Sequence, residues 1–162
     1  MTPSIRSLYL YVFAATVGII LTALYMQHSM GLEPCYLCIV QRAFIILTGF
    51  IALSAFIHNP KTKGHKIYAS AMSLSSLTGG GFSIRQLWLQ QLPEDKVPAC
   101  GPPADYLFEA LPIVEALPML LRGDGNCAEI QWTLLGLSIP GWTLLAFTGL
   151  TLMGVYQLLR KR

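Results

Sequence analysis

Two cysteines three positions apart, Cys35 and Cys38, open an apolar run of sequence, and Arg42 follows four positions after the second. The chemistry such a pair offers is thiol–disulfide exchange, in which the thiolate is the attacking species. A helix start favours a thiolate, because its first N–H groups have no partner within the helix and carry a partial positive charge. Pro34, directly before the pair, suits a first turn, where a missing N–H costs nothing. On such a helix Arg42 shares a face with Cys38 about one turn away. In a region of low dielectric, the guanidinium would stabilise a Cys38 thiolate or an anion developing on a bound oxidant. The plain structural alternative is an arginine whose head snorkels to the membrane interface.

A Cys-x-x-Cys unit has three common uses: a redox pair, half of a zinc site, or a structural staple. Zinc held by four cysteines prefers two close pairs, whereas the other two here, Cys100 and Cys127, stand 27 positions apart, so no metal site is expected. A staple across two residues constrains little chain entropy, which favours redox chemistry for Cys35 and Cys38. For Cys100 and Cys127 spacing leaves two uses open. A bridge closing their 28-residue loop would contribute about 3.6 kcal/mol in the chain-entropy model, while the flanking Pro98, Pro102, Pro103 and Gly125 suit an exposed loop that exchanges with a partner.

The elements that must position these residues follow from composition. Of 162 residues, 54% are apolar and 12% charged, with a mean hydropathy of +0.55. Soluble domains are about one quarter charged, so this composition describes a membrane protein. A membrane-crossing helix takes about 20 apolar residues, and four stretches qualify or nearly do: about 8–27, 39–57, 67–88 and 139–159. The expectation is an all-α membrane protein, one domain over 1–162. It is a four-transmembrane-helix bundle with external loops 28–34 and 89–138, the longer carrying a short helical segment on the membrane surface. The first apolar run is too long for a secretion-signal core and reads as a retained helix with aromatic residues at both ends.

Basic residues flanking short loops orient such a bundle. Arg6, Lys61, Lys63, Lys66, Arg160, Lys161 and Arg162 fall on one side, and all eight acidic residues, Glu33, Glu94, Asp95, Asp105, Glu109, Glu115, Asp124 and Glu129, fall on the other. Both termini are thus expected in the cytoplasm and all four cysteines outside, where disulfides persist. Their even number argues for two bridges. The net charge of +3 reflects topology and not nucleic-acid binding.

Ala71, Ser75 and Gly79 fall four apart and lead into Gly79-Gly80-Gly81, which suits close helix packing, with a ligand approach near Gly80 to Gln86 as the functional alternative. His28 stands just outside the first span as a solvated or proton-handling group. The external region of about 50 residues is too long for an idle connector. Within it, residues 106–121 are apolar but interrupted by Pro112 and Pro118, which fits a surface segment and not a span. Gly123-Asp124-Gly125-Asn126 reads as a flexible turn before Cys127. No repeat, heptad or phosphate-binding fingerprint is present.

Pro34-Cys35-Tyr36-Leu37-Cys38-Ile39-Val40-Gln41-Arg42, the second pair of cysteines in an external loop, Cys127-Ala128-Glu129-Ile130-Gln131-Trp132 and Gly136-Leu-Ser-Ile-Pro-Gly-Trp142 together resemble the disulfide bond formation protein B (DsbB) family over essentially the whole chain. The resemblance implies an enzyme of the bacterial inner membrane that oxidises a DsbA-like periplasmic thiol oxidant of thioredoxin fold and passes two electrons to ubiquinone or menaquinone. On that pattern Cys100 is attacked by the partner, the released Cys127 attacks Cys35, and Cys38 becomes the thiolate beside Arg42 and the quinone. Gln86 stands where many members carry histidine; it donates hydrogen bonds but is no acid near neutral pH. Ile139 stands where some members have methionine, which leaves Trp142 as the clearer wall of a quinone pocket. The alternatives are a branch dedicated to a special client and a non-catalytic scaffold stapled by its disulfides.

Overall fold

Cys35 is the residue at which the second helix begins. In the computed structural model, which describes residues 4–102, 106–107 and 111–160, it is the extended N-cap of α2 (Tyr36–His58), and Ile39 N–H donates to its carbonyl at 3.1 Å. Pro34 therefore lies one residue before the cap and not in the first turn. Of the residues named above, Pro103, Asp105, Glu109, Lys161 and Arg162 lie outside the described set.

The helix ends follow ordinary capping chemistry. Ser4 opens α1 (Ile5–Ser29), its side chain accepting from Ser7 N–H at 3.1 Å, which satisfies one of the unpaired donors of the first turn. At the far end of α2, Asn59 takes the left-handed conformation, φ 44°, and donates back to Ala55 O at 3.0 Å. Asparagine is one of the few residues that adopts this turn readily, and Pro60 after it cannot continue the helix. The helix α3 (Thr62–Leu89) then starts five residues before the expected span. The basic connection is thus shorter than expected, and Lys63, His65 and Lys66 belong to the first turns of α3. His65 is buried there; its Nε2 donates to Gln157 O at 2.7 Å, and its Nδ1 lies in hydrogen-bond contact with Tyr9 Oη at 2.9 Å.

Among the described residues, three helices are long and apolar enough to cross a membrane: α1, α2 and the last helix, α5 (Ile139–Leu159). They turn Tyr11, Leu21, Phe50 and Leu152 outward, uncovered by protein. The expected fourth, α3, is as long, but its serines and terminal basic residues keep it below that mark. It earns its place by packing. Phe147 of α5, 1% exposed, lies against Gly79, where an added Cβ would collide with its ring carbons, and Thr48 Oγ1 of α2 donates to Ser75 Oγ at 3.0 Å. The small-residue spacing is thus read as close packing, as small residues in membrane helices usually are.

The external region holds a short helix, α4 (Ile113–Arg122), capped by Pro112 and containing Pro118 without ending there. Ala116 and Leu120 face the protein, while Ile113, Val114 and Leu117 face away. Gly123, φ 75°, ends it. A hairpin that the all-α expectation lacked then pairs β1 (Thr133–Leu134) with β2 (Leu137–Ser138). Its turn places Leu135 and Gly136 at φ 53° and 80°. Both central residues at positive φ make the turn whose twist suits a two-residue hairpin, and the leucine hid it, since a bulky residue rarely adopts that conformation.

The close helix contacts set opposite signs for two neighbouring substitutions. Gly→Ala in a helix ordinarily gains about 0.5–1 kcal/mol, and Gly81→Ala, which meets nothing within 4 Å, is expected to raise the thermal midpoint of the detergent-solubilised protein. At Gly79 overpacking against Phe147 costs about 1–3 kcal/mol and outweighs that gain, so Gly79→Ala is expected to lower the midpoint in the same assay.

Candidate active site

Burial at the outer end of the bundle is built around the first turn of α2. Leu37, fully buried, sits beneath Gly123, where an added Cβ would lie 3.0 Å from its side chain. Tyr36, Leu37 and Val40 pack with Leu89, Leu107, Ala116, Leu120 and Cys127 into one apolar cluster. The segment is tied down by hydrogen bonds as well. Arg85 Nε and Nη2 of α3 donate to Arg122 O at 3.0 and 2.8 Å, a cation on the carbonyl end of α4 where the helix dipole favours positive charge. Tyr36 Oη donates to Pro102 O, and Gly101 lies against the same ring.

That packing brings three of the four cysteines together. All four are free thiols. Cys35 Sγ and Cys38 Sγ stand 2.8 Å apart, and Cys127, wholly buried, belongs to the same packed cluster as Cys35. The Cys35 thiol is pushed well above the usual thiol range by the hydrogen bonds it donates to Cys127 and Cys38 and by burial. Cys127 is held below that range because it accepts from Cys35, which outweighs its own burial and the charge of Asp124. Of the two, Cys127 therefore carries the greater thiolate character.

Cys100 is exposed, unlike the other three. Its loop is held by Asp124, which the sequence reading took as part of a flexible turn. Asp124 is buried and receives three donors: Gly101 N–H at 3.0 Å and Asn126 Nδ2 at 2.6 Å on Oδ2, and Cys127 Sγ at 3.3 Å on Oδ1. Gly125 N–H donates to Ala99 O at 3.3 Å, and an added Cβ at Gly125 would lie 2.9 Å from Cys100 Sγ. One carboxylate thus links both cysteine-bearing segments. The signal was present as an aspartate three residues before a cysteine, with an asparagine between, but glycines on both sides of the aspartate made mobility the simpler reading.

Cys35, Cys38, Arg42, Gln86 and Trp142 line a single cavity of about 400 Å³, closed mainly by apolar side chains that include Ile19, Ile45 and Ile139. Arg42 does not reach toward the sulfurs; its guanidinium donates to Gln27 Oε1 and, at 3.2 Å, to Ala23 O of α1. Both partners are neutral, so its positive charge is held at the cavity wall without being cancelled by them. Gln86 reaches across from α3, Nε2 to Cys35 Sγ at 3.1 Å and to Cys38 Sγ at 3.4 Å. Gln41, which the sequence reading passed over, donates to Gln86 Oε1 at 2.7 Å. Trp142 is half turned to the cavity and donates through Nε1 to Leu134 O at 3.1 Å, pinning the hairpin to the start of α5. Ser138 Oγ fixes its other strand to Oε1 of Gln90, the residue that caps α3, at 2.8 Å. Size and lining suit a flat apolar ring carrying a few polar oxygens. No cluster of metal-ligating residues occurs among the described residues.

Comparison with known proteins agrees with the geometry. The family model described as Disulfide bond formation protein DsbB matches residues 5–157. The chain is similar to Disulfide bond formation protein B of Saccharophagus degradans, 55% identical over 98% of this chain and 96% of that protein. The protein of the same name from Hahella chejuensis is 48% identical over 96% and 94%, and Disulfide bond formation protein B 1 of Pseudomonas aeruginosa is 45% identical over 96% of each. With a cluster of cysteines at the end of an apolar helical bundle and a sequence match over nearly its whole length, this chain is a member of the DsbB family of membrane disulfide bond formation proteins.

Proposed function

We propose that the protein is a thiol oxidase of the bacterial inner membrane, which re-oxidises a DsbA-like periplasmic protein of thioredoxin fold and passes the electrons to ubiquinone or menaquinone. The observation that carries this is the packing of Cys127 in one buried cluster with Cys35 and Cys38, the latter pair 2.8 Å apart at a cavity with a fixed cation. The chain forms one domain in which all four long helices cross the membrane, α3 among them because it is sheathed by α2 and α5. Arg6, Lys61, Lys63, Lys66 and Arg160 orient both termini to the cytoplasm. The outward Ile113, Val114 and Leu117 of α4 rest on the membrane surface.

In the resting oxidised enzyme Cys100 is bonded to Cys127 and Cys35 to Cys38. A thiolate of the partner attacks Cys100, forming a mixed disulfide and releasing Cys127 as thiolate. Cys127 attacks Cys35; the Cys35–Cys38 bond breaks and its electron pair stays on Cys38. The partner's second thiolate then attacks the mixed disulfide, leaving the partner oxidised and Cys100 reduced. Cys100 attacks Cys127, which restores their bond and releases Cys35. The two electrons taken from the partner now reside on Cys35 and Cys38. A quinone in the cavity supplies the two-electron sink that one disulfide, spent after a single turnover, lacks. Arg42 stabilises negative charge at that end of the relay, Gln86 donates to the sulfurs, and Trp142 with the isoleucines keeps water from the reacting thiolate.

Two variants separate the halves of the relay. Cys38→Ser is expected to abolish steady-state oxidation of a reduced thioredoxin-fold dithiol in the presence of quinone, while a mixed disulfide between Cys100 and that dithiol still forms; full quinone reduction by this variant would contradict the proposal. Arg42→Ala removes a charge worth about 10²–10³-fold where it acts on a developing anion in a dry site. It is expected to cut quinone turnover by at least tenfold without changing partner affinity measured by calorimetry, whereas equal losses in both would indicate a folding defect.

A further inference from the structure

The amide that faces the two sulfurs of α2 has two ends with opposite chemistry. Its N–H2 end donates and suits a thiolate, which only accepts; its carbonyl end accepts and suits a protonated thiol. Nothing in the shape of Gln86 chooses between them, because the two ends are nearly the same size. The choice comes from the next residue in the chain of contacts. Gln41, 3% exposed, lies one turn along α2 from Cys38 and donates through Nε2 to Gln86 Oε1 at 2.7 Å. Gln86, also 3% exposed, turns its Nε2 to Cys35 Sγ at 3.1 Å and Cys38 Sγ at 3.4 Å, while its Oε1, held by Gln41 at the shorter distance, accepts from the Cys38 thiol only at a longer 3.6 Å.

We infer that Gln41 is a positioning residue for the thiol oxidation: by donating to Gln86 it sets the amide with its N–H2 end on Cys38, and so raises the share of Cys38 present as thiolate. The inference rests on the oxidase reading in taking Cys38 as the reactive thiolate, but its physical content is a property of the protein alone. Both glutamines are sealed from water, so a lost hydrogen bond is not replaced by solvent. Without its donor the Gln86 amide is free to turn its carbonyl toward the sulfurs, which disfavours charge there. A histidine at position 86 would not need such a partner to offer a donor, which ties this device to the glutamine found here.

The test is a double-mutant cycle on a chain in which Cys38 is the only cysteine, Cys35, Cys100 and Cys127 having been replaced by serine. The readout is the rate at which iodoacetamide alkylates Cys38 as a function of pH, with neither quinone nor partner present. The charged groups around Cys38 that remain, Glu33 ahead of α2, Arg42 on it and Glu129 after position 127, line the same cavity and are constant through the cycle. Gln41→Leu is expected to lower the thiolate share at pH 7 by roughly threefold to tenfold, in keeping with a hydrogen bond to a charged group. Gln86→Leu is expected to lower it at least as much, and Gln41→Leu added to Gln86→Leu to change nothing further. Gln41→Met, of similar length and without a donor, carries the same expectation if the leucine variant is not monodisperse. An effect of Gln41→Leu equally large in the Gln86→Leu background, or no effect in either, overturns the inference. Because no quinone enters the measurement, a negative result in the oxidase assay leaves this one readable, and the reverse.

Discussion

The contact on which the outer half of the molecule depends is the seating of the external segment on the first turn of α2. Leu37 is the anchor. It points up from the helix start into a space that exists only because residue 123 is glycine, both in having no side chain to fill it and in accepting the positive φ that turns the chain there. Burial of a leucine is worth about 1.5–3 kcal/mol, and the same cluster buries Tyr36, Leu120 and Cys127. Polar ties then give direction to what apolar burial leaves free. Arg85 holds the end of α4, Tyr36 holds the backbone at Pro102, and Asp124 holds the backbone at Gly101 together with the Cys127 thiol. Cysteine placement is the product of that seating. Cys127 arrives at Cys35 because the chain that carries it is packed on the helix that Cys35 begins.

Depth then separates the sulfurs by role. Cys100 is exposed and addresses solvent, Cys127 and Cys35 are sealed between the segment and the helix, and Cys38 opens on an apolar cavity. A thiolate inside needs a donor or a cation, since burial alone disfavours charge. Each inner sulfur has one: Cys127 accepts from Cys35, and Cys35 and Cys38 face the amide of Gln86. Arg42 supplies the positive charge at the cavity wall while its own N–H groups are spent on Gln27 and Ala23. A charge held in this way does not collapse onto the sulfurs.

The helices and the cysteine pair at a helix start were legible in the sequence because apolar runs long enough to cross a membrane and a proline before the pair are local signals. Helical boundaries followed to within a few residues, and the connection before α3 was misjudged because basic residues read as loop although nothing in Thr62 to Lys66 breaks a helix. Pro118 was read as an interruption, yet α4 runs through it. What escaped notice was long-range. Asp124 looks like turn chemistry until Gly101 and Cys127 are seen on its two oxygens, and Gln41 looks like one more polar residue in a motif until Gln86 is seen across from it. The hairpin was missed because its left-handed turn begins with a leucine. Arg42 was read on the correct face, but its bonds to α1 depend on how two helices pack, which no spacing along one helix contains.

The central claim of the proposed relay is that Cys127 exchanges directly with Cys35, while Cys100 exchanges with Cys127 and not with Cys35. Peptide mapping by mass spectrometry tests this on two double variants exposed to a mild oxidant. Cys38→Ser with Cys100→Ser leaves only Cys35 and Cys127, which are expected to form a disulfide within the monomer quickly and in high yield. Cys38→Ser with Cys127→Ser leaves Cys35 and Cys100, which are expected to bridge far more slowly. A failure of Cys35 and Cys127 to bridge, or bridging of Cys35 to Cys100 at the same rate, would contradict the account.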